Sequence, residues 1–184
     1  MSLVKNAAKV GMGAKLIARP GVGASVGHHH LWHFECRDKD GKLKWEETAK
    51  NLVPTAGLTD ILDVYWKVGT QAATWYVGLL LDETQIAAGD TAVTHTWTEF
   101  TDYTGSRKAL VLGAITSGAA DNSASVAAFT ATGAGTVGGG FLQSAATGTT
   151  GVLSAAVAFD SPGDRTLATD DVLNVTVTIT HTSV

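Results

Sequence analysis

Charged side chains are scarce in this sequence. They make up 16% of it, against roughly 25% in ordinary soluble domains. The surface must therefore be built largely from Thr, Ser, Ala and Gly, which suits close protein–protein contact better than solitary life in solution. There is one cysteine, Cys36; an intramolecular disulfide is excluded, and a reducing compartment fits. No apolar run approaches the ~20 residues of a membrane helix, and the N-terminus lacks the apolar core of a secretion signal, so no membrane partner is expected. Asn174-Val175-Thr176 fits the glycosylation pattern, but it lies in a predicted strand and reads as chance.

What is present is a globular composition. Hydrophobic residues are 45% of 184, and 21 glycines are spread through the chain. That is enough for one domain with a sizeable core. The net charge of −4 hides an asymmetry. Residues 1–50 carry nine Lys/Arg and five Asp/Glu, whereas residues 51–184 carry four and twelve. Lys5, Lys9, Lys15 and Arg19 stand in the first 30 residues without a single acid. We read residues 1–30 as a basic, Gly-rich arm and residues 31–184 as the body. The four cations are candidate partner-binding residues for an acidic protein surface. They are too few and too spaced to indicate specific nucleic-acid binding.

The body begins with a hairpin. Trp32, Phe34 and Cys36 alternate on one face, Asp38-Lys39-Asp40-Gly41 is a turn signal, and Lys42–Glu46 alternates again; this predicts residues 31–36 paired with 42–47. Leu58, Ile61, Leu62 and Tyr65 fall at helical spacing, with Thr55 or Thr59 as cap and Gly69 as stop. Strands are predicted at 74–81, 96–103, 108–116, 126–130, 136–143, 152–159 and 172–180, separated by Gly, Ser, Asn, Asp or Pro162. The fold class expected is all-β: an antiparallel β-sandwich, jelly-roll-like, with one short helix.

Motifs for chemistry are present only in outline. Gly133-Ala134-Gly135-Thr136-Val137-Gly138 matches the dinucleotide fingerprint in letters, but an apolar strand-like run follows it where the site needs a helix. It reads as a Gly-rich turn entering a strand with a close neighbour. His28-His29-His30, with His33 nearby, carries metal-ligand chemistry. Three consecutive residues of an extended segment cannot converge on one ion, and the run reads as a hinge between arm and body. His95, Asp90, Glu99 and Asp102 hold the types needed for a serine-hydrolase relay, without a nucleophile elbow. Asp82/Glu83 and Asp170/Asp171 are paired acids that read as solvated turns, with no calcium-loop pattern around them. No catalytic, metal or cofactor residue is assigned. The five tryptophans, all between residues 32 and 97, are expected in core and interface, with a sugar-binding groove as the alternative.

Several short blocks carry a resemblance. They are Phe34 to Glu46, Asn51-Leu52-Val53, Gly57-Leu58, Trp75 to Leu79, Trp97-Thr98-Glu99, Asp121 to Ala124, Gly139 to Leu142 and Asp171 to Thr178. Over residues 32–180 the chain resembles a family of small tailed-bacteriophage virion proteins similar to capsid decoration (cement) proteins. The resemblance implies a non-enzymatic protein of the capsid surface. Its partners would be the major capsid protein and further copies of itself, as a dimer or trimer, and no cofactor is implied. A tail or tail-fibre component that binds host surface glycans is the alternative.

Overall fold

The computed structural model describes residues 26–82, 86–160 and 163–183. The expectations for residues 1–25, including Lys5, Lys9, Lys15 and Arg19, and those for Glu83 and Pro162, lie outside the described residues.

The hairpin is where the alternation put it. Strand β1 (Val26–Arg37) pairs antiparallel with β2 (Leu43–Lys50), from Leu31 opposite Lys50 to Cys36 opposite Trp45. Asp38 makes the turn. Its Oδ1 accepts the amide N–H groups of Asp40 and Lys42, both at 2.9 Å, and Gly41 takes the left-handed φ of 81° that the last turn position requires. Trp32, Phe34 and Cys36 are fully buried, as the period of two predicts.

One difference follows from β12 (Val172–Ser183). It runs beside β1 along its whole length, from Val26 opposite Ser183 to Arg37 opposite Val172. The first strand therefore starts five residues before Leu31. The histidine run is not a hinge; His28, His29 and His30 are rungs of a ladder. On its other edge β12 carries two short strands in succession, β7 (Ala127–Thr130) and β6 (Ala119–Asp121). This first sheet has the order β2-β1-β12, with β6 and β7 end to end beyond β12.

The second sheet is built on three apolar strands, β3 (Tyr76–Leu80), β9 (Gly139–Gln143) and β10 (Leu153–Ala158), in the order β10-β9-β3. Two short strands, β4 (Glu99–Phe100) and β5 (Lys108–Ala109), share the free edge of β3. A two-stranded ribbon joins β8 (Gly135–Val137) to β11 (Arg165–Leu167). Both main sheets are antiparallel, and they pack on each other across one apolar core. Trp32, Phe34, Val175 and Val177 from the first sheet lie in one cluster with Val77, Leu79, Leu142 and Val157 from the second.

Unlike the first sheet, the second is buried on both faces. Leu80, Phe141, Leu153 and Ala156 form another cluster with Ala92 and Trp97, contributed by the segment ahead of β4. That explains why β9 and β10 read as continuous apolar runs rather than alternating ones. Helix α1 (Thr55–Trp66) lies against β10. Neither threonine caps it. Pro54 holds the N-cap position, and the Thr59 hydroxyl donates back to the Thr55 carbonyl at 2.8 Å. Gly69 closes the other end, its N–H donating to the Asp63 carbonyl at 3.2 Å. No described helix is long and apolar enough to cross a membrane.

Candidate functional site

Alternation in β1 extends back past Trp32, so His30 and His28 point to the same side as the buried aromatics while His29 is exposed. The register places His28 opposite His181 of β12. His28 Nδ1 lies 2.8 Å from His181 Nε2, and His28 Nε2 lies 3.1 Å from His30 Nε2. The three rings thus form a chain with His28 in the middle.

His30 is buried, and its Nδ1 has no hydrogen-bond partner. A buried bare lone pair costs less than a buried orphan N–H. The tautomers follow from this: His30 Nε2–H donates to His28, and His28 Nδ1–H donates to His181. Burial, then the neighbouring His181 and His29 rings, holds His28 down to about 4. Burial, then His28, His181 and His29, holds His30 down to about 3. His28 and His30 are therefore neutral at physiological pH. His28 spends both of its nitrogens on its neighbours, so the rings present no common vertex. Among the described residues no group of three or more His, Cys, Asp or Glu is placed to hold a metal ion. His33 faces away from this cluster, its Nδ1 3.2 Å from the Thr48 hydroxyl.

Beside the histidines lies the free face of α1. Only Gly57 of the helix is buried, because its missing side chain lets the first turn sit on the Ser154 carbonyl. Further along, the helix diverges from any cover. Leu62 is 58% exposed, Tyr65 75% and Trp66 74%, the last two rings meeting edge to face at 4.9 Å. With Leu58, Ile61, His28 and His181 they line an apolar groove of about 630 Å³. On the far side of His181 a second, smaller hollow is lined by Leu112, Ile115, Ala120 and Ile179. Ile115 is 80% exposed, and Val111 and Leu112 are also on the surface. His181 borders both hollows, so the exposed apolar side chains of α1 and those of residues 111–115 lie on either side of it.

The other candidate residues are occupied elsewhere. His95 stacks on Trp97 with centroids 3.6 Å apart and bonds the Trp97 carbonyl through Nδ1 at 2.9 Å. Asp90 accepts the Ala87 N–H, and Glu99 holds the buried Arg107 in a two-pronged ion pair at 2.7 and 2.8 Å. Arg107 also donates to the carbonyls of Ala145 and Gly148. Asp102 contributes its backbone carbonyl to Thr132. Asp171 is not a solvated turn residue. It is buried, pairs with Lys44 and accepts the Ala168 N–H at 2.7 Å, while Asp170 takes a left-handed φ of 66°. The Gly133–Gly138 stretch forms β8 and the entry to β9, with no helix after it. A Cβ at Gly135 would stand 2.7 Å from the Phe100 ring, which is the close approach expected of such a turn. Of the tryptophans, Trp32 and Trp97 are buried, Trp45 and Trp75 pack on the core margin, and Trp66 alone is openly exposed.

No protein-family model matches the chain, and no curated protein matches it either.

Proposed function

We propose that this chain is a structural virion protein without enzymatic activity, a decoration protein of a tailed-phage head. It bridges capsid subunits and packs against copies of itself as a dimer or trimer. In this reading the sandwich is jelly-roll-like, with its first and last strands paired in the middle of one sheet. The observation that carries the reading is the exposed apolar surface on either side of His181, at Leu62, Tyr65 and Trp66 of α1 and at Val111, Leu112 and Ile115. A surface of that kind marks a protein-contact site, and the low charge of the chain fits close contact. The action is mechanical: each copy adds buried area between capsomers and opposes the pressure of packaged DNA. Many copies on one shell gain strength by multivalency. Lys5, Lys9, Lys15 and Arg19 supply complementary charge for an acidic protein surface.

The test is to add the purified chain to capsids that lack it. Stoichiometric binding and a raised rupture temperature are expected. One observation favours a second reading: the exposed Tyr65–Trp66 pair is a platform on which a sugar ring of a host glycan can stack. Particles lacking the chain that stay equally robust but fail to adsorb to cells would establish that reading instead.

A further inference from the structure

The groove along α1 needs an occupant, and three features of the molecule indicate one. The first is position. The described body starts at Val26, two residues before His28, and His28 lines the groove. The chain therefore leaves the body at the groove's edge. Twenty-five residues precede that point, and eight of them span roughly 26 Å when extended, enough to bring residues 3–17 alongside a twelve-residue helix about 18 Å long.

The second feature is charge. Between Thr55 and Trp66 the helix has two charged residues, both acidic: Asp60 and Asp63. Lys67 just beyond it reaches Asp63 at 3.5 Å, while no cation pairs with Asp60 among the described residues. Burial, then the Asp63 carboxylate, holds Asp60 above the ordinary carboxylate range, so a further positive charge is favoured there. The third feature is composition. Residues 3–17 contain Leu3, Val4, Val10, Leu16 and Ile17 for an apolar groove, with Lys5, Lys9 and Lys15 among them and no acid.

We propose that residues 3–17 of the chain dock on its own α1, laying their apolar side chains against Leu58, Leu62, Tyr65 and Trp66, with their lysines reaching past the groove's edge to the acidic side of the helix at Asp63 and, beyond it, Asp60. The docking rests on the reading of the N-terminal cations as contacts to an acidic protein surface and identifies that surface; it requires no capsid. Tethering raises the effective concentration of the segment at the groove to the millimolar range, so modest contacts suffice. The Leu112–Ile115 end of the apolar tract stays open to partners.

The full-length chain, mixed one to one with its 15N-labelled copy, is treated with a zero-length carbodiimide that joins amines to carboxylates, and the peptides are read by mass spectrometry. Cross-links from Lys5, Lys9 or Lys15 to Asp60 or Asp63 are expected, all of them light–light or heavy–heavy. The Lys67–Asp63 link is the internal control. Leu62→Lys, a change at an exposed position, should lower the yield of the long-range links at least fivefold and leave the control link intact. Absence of the long-range links while the control forms overturns the proposal. Links of mixed isotope would give the groove to a neighbouring copy and overturn docking on the chain's own helix. Since no capsid is present, failure here leaves the capsid-rupture experiment unaffected, and the converse holds too.

Discussion

Asn122 stands in for a missing strand beside Val177. Its Oδ1 accepts the Val177 N–H at 2.7 Å, and its Nδ2 donates to the Val175 carbonyl at 3.1 Å. On that edge of β12, β7 ends opposite Val175 and β6 begins opposite Thr178, leaving Thr176 and Val177 without a strand partner. A fully buried side-chain amide bridges the gap as a peptide group would. Asn122→Ala leaves a buried N–H and a buried C=O unpaired and should cost about 2–4 kcal/mol. Denaturant titration measures the loss. Native-state exchange should show the Val177 amide deprotected well before those of Phe34 and Val175.

The histidine chain gives stability an acid limit. His28 and His30 both sit below the 6.5 of a free imidazole, at about 4 and about 3. As pH falls the unfolded chain takes up protons first. The neutral packing therefore contributes in full above pH ~6.5 and is lost progressively as pH falls towards 4 and then 3. Melting temperature followed from pH 8 to pH 4 should fall below pH ~6.5. His30→Gln should flatten that slope even if it lowers the plateau. A pH-independent melting temperature in the native protein would contradict the burial of these rings.

Gly57 sets how closely α1 lies on the second sheet. A Cβ there would stand 2.4 Å from the Ser154 carbonyl oxygen, a backbone atom of β10 that cannot swing aside. Gly57→Ala should lift the first turn of the helix and cost about 1–3 kcal/mol, despite alanine's better helix propensity. Chemical denaturation of Gly57→Ala beside the native protein measures the loss.

The tract at residues 111–115 separates folding from association. Leu112→Asp and Ile115→Asp change side chains that face solvent, so stability should move by no more than about 0.5 kcal/mol. The same changes should abolish the gain in capsid rupture temperature. Variants that keep full capsid protection would remove this face from the interface.

The hairpin was legible because two signals coincide at Asp38–Gly41: an Asx turn and alternation on both sides. Strands 96–103 and 108–116 were not legible at their true length. Both must share the edge of β3, a strand of five residues. Each gets two rungs there, and the rest of each segment is held by single bridges and loop hydrogen bonds such as Tyr103 with Ala131 and Gly113 with Asp121. Helix α1 could be read from its spacing, but its exposure could not, since an apolar stripe does not say what covers it. The histidine chain left a trace that alternation alone reveals: His28 and His30 continue the period of two set by Trp32, Phe34 and Cys36. What the sequence does not reveal is the β1–β12 pairing that brings His181 opposite His28.

That pairing also governs the order of events during synthesis. β1 can fold against β2 as soon as the hairpin emerges, but its other edge has to wait for β12, about 120 residues later. At roughly 5–20 residues per second, translation leaves that edge open for on the order of ten seconds. Until β9 and β10 have also emerged, the Trp32, Phe34 and Cys36 face has no complete second sheet to cover it. A nascent chain in this state can pair edge to edge with another hairpin, so crowding of ribosomes on one message should promote strand exchange and aggregation. Slower initiation should raise soluble yield more than slower elongation does, because only the former spaces the open edges apart without lengthening their exposure.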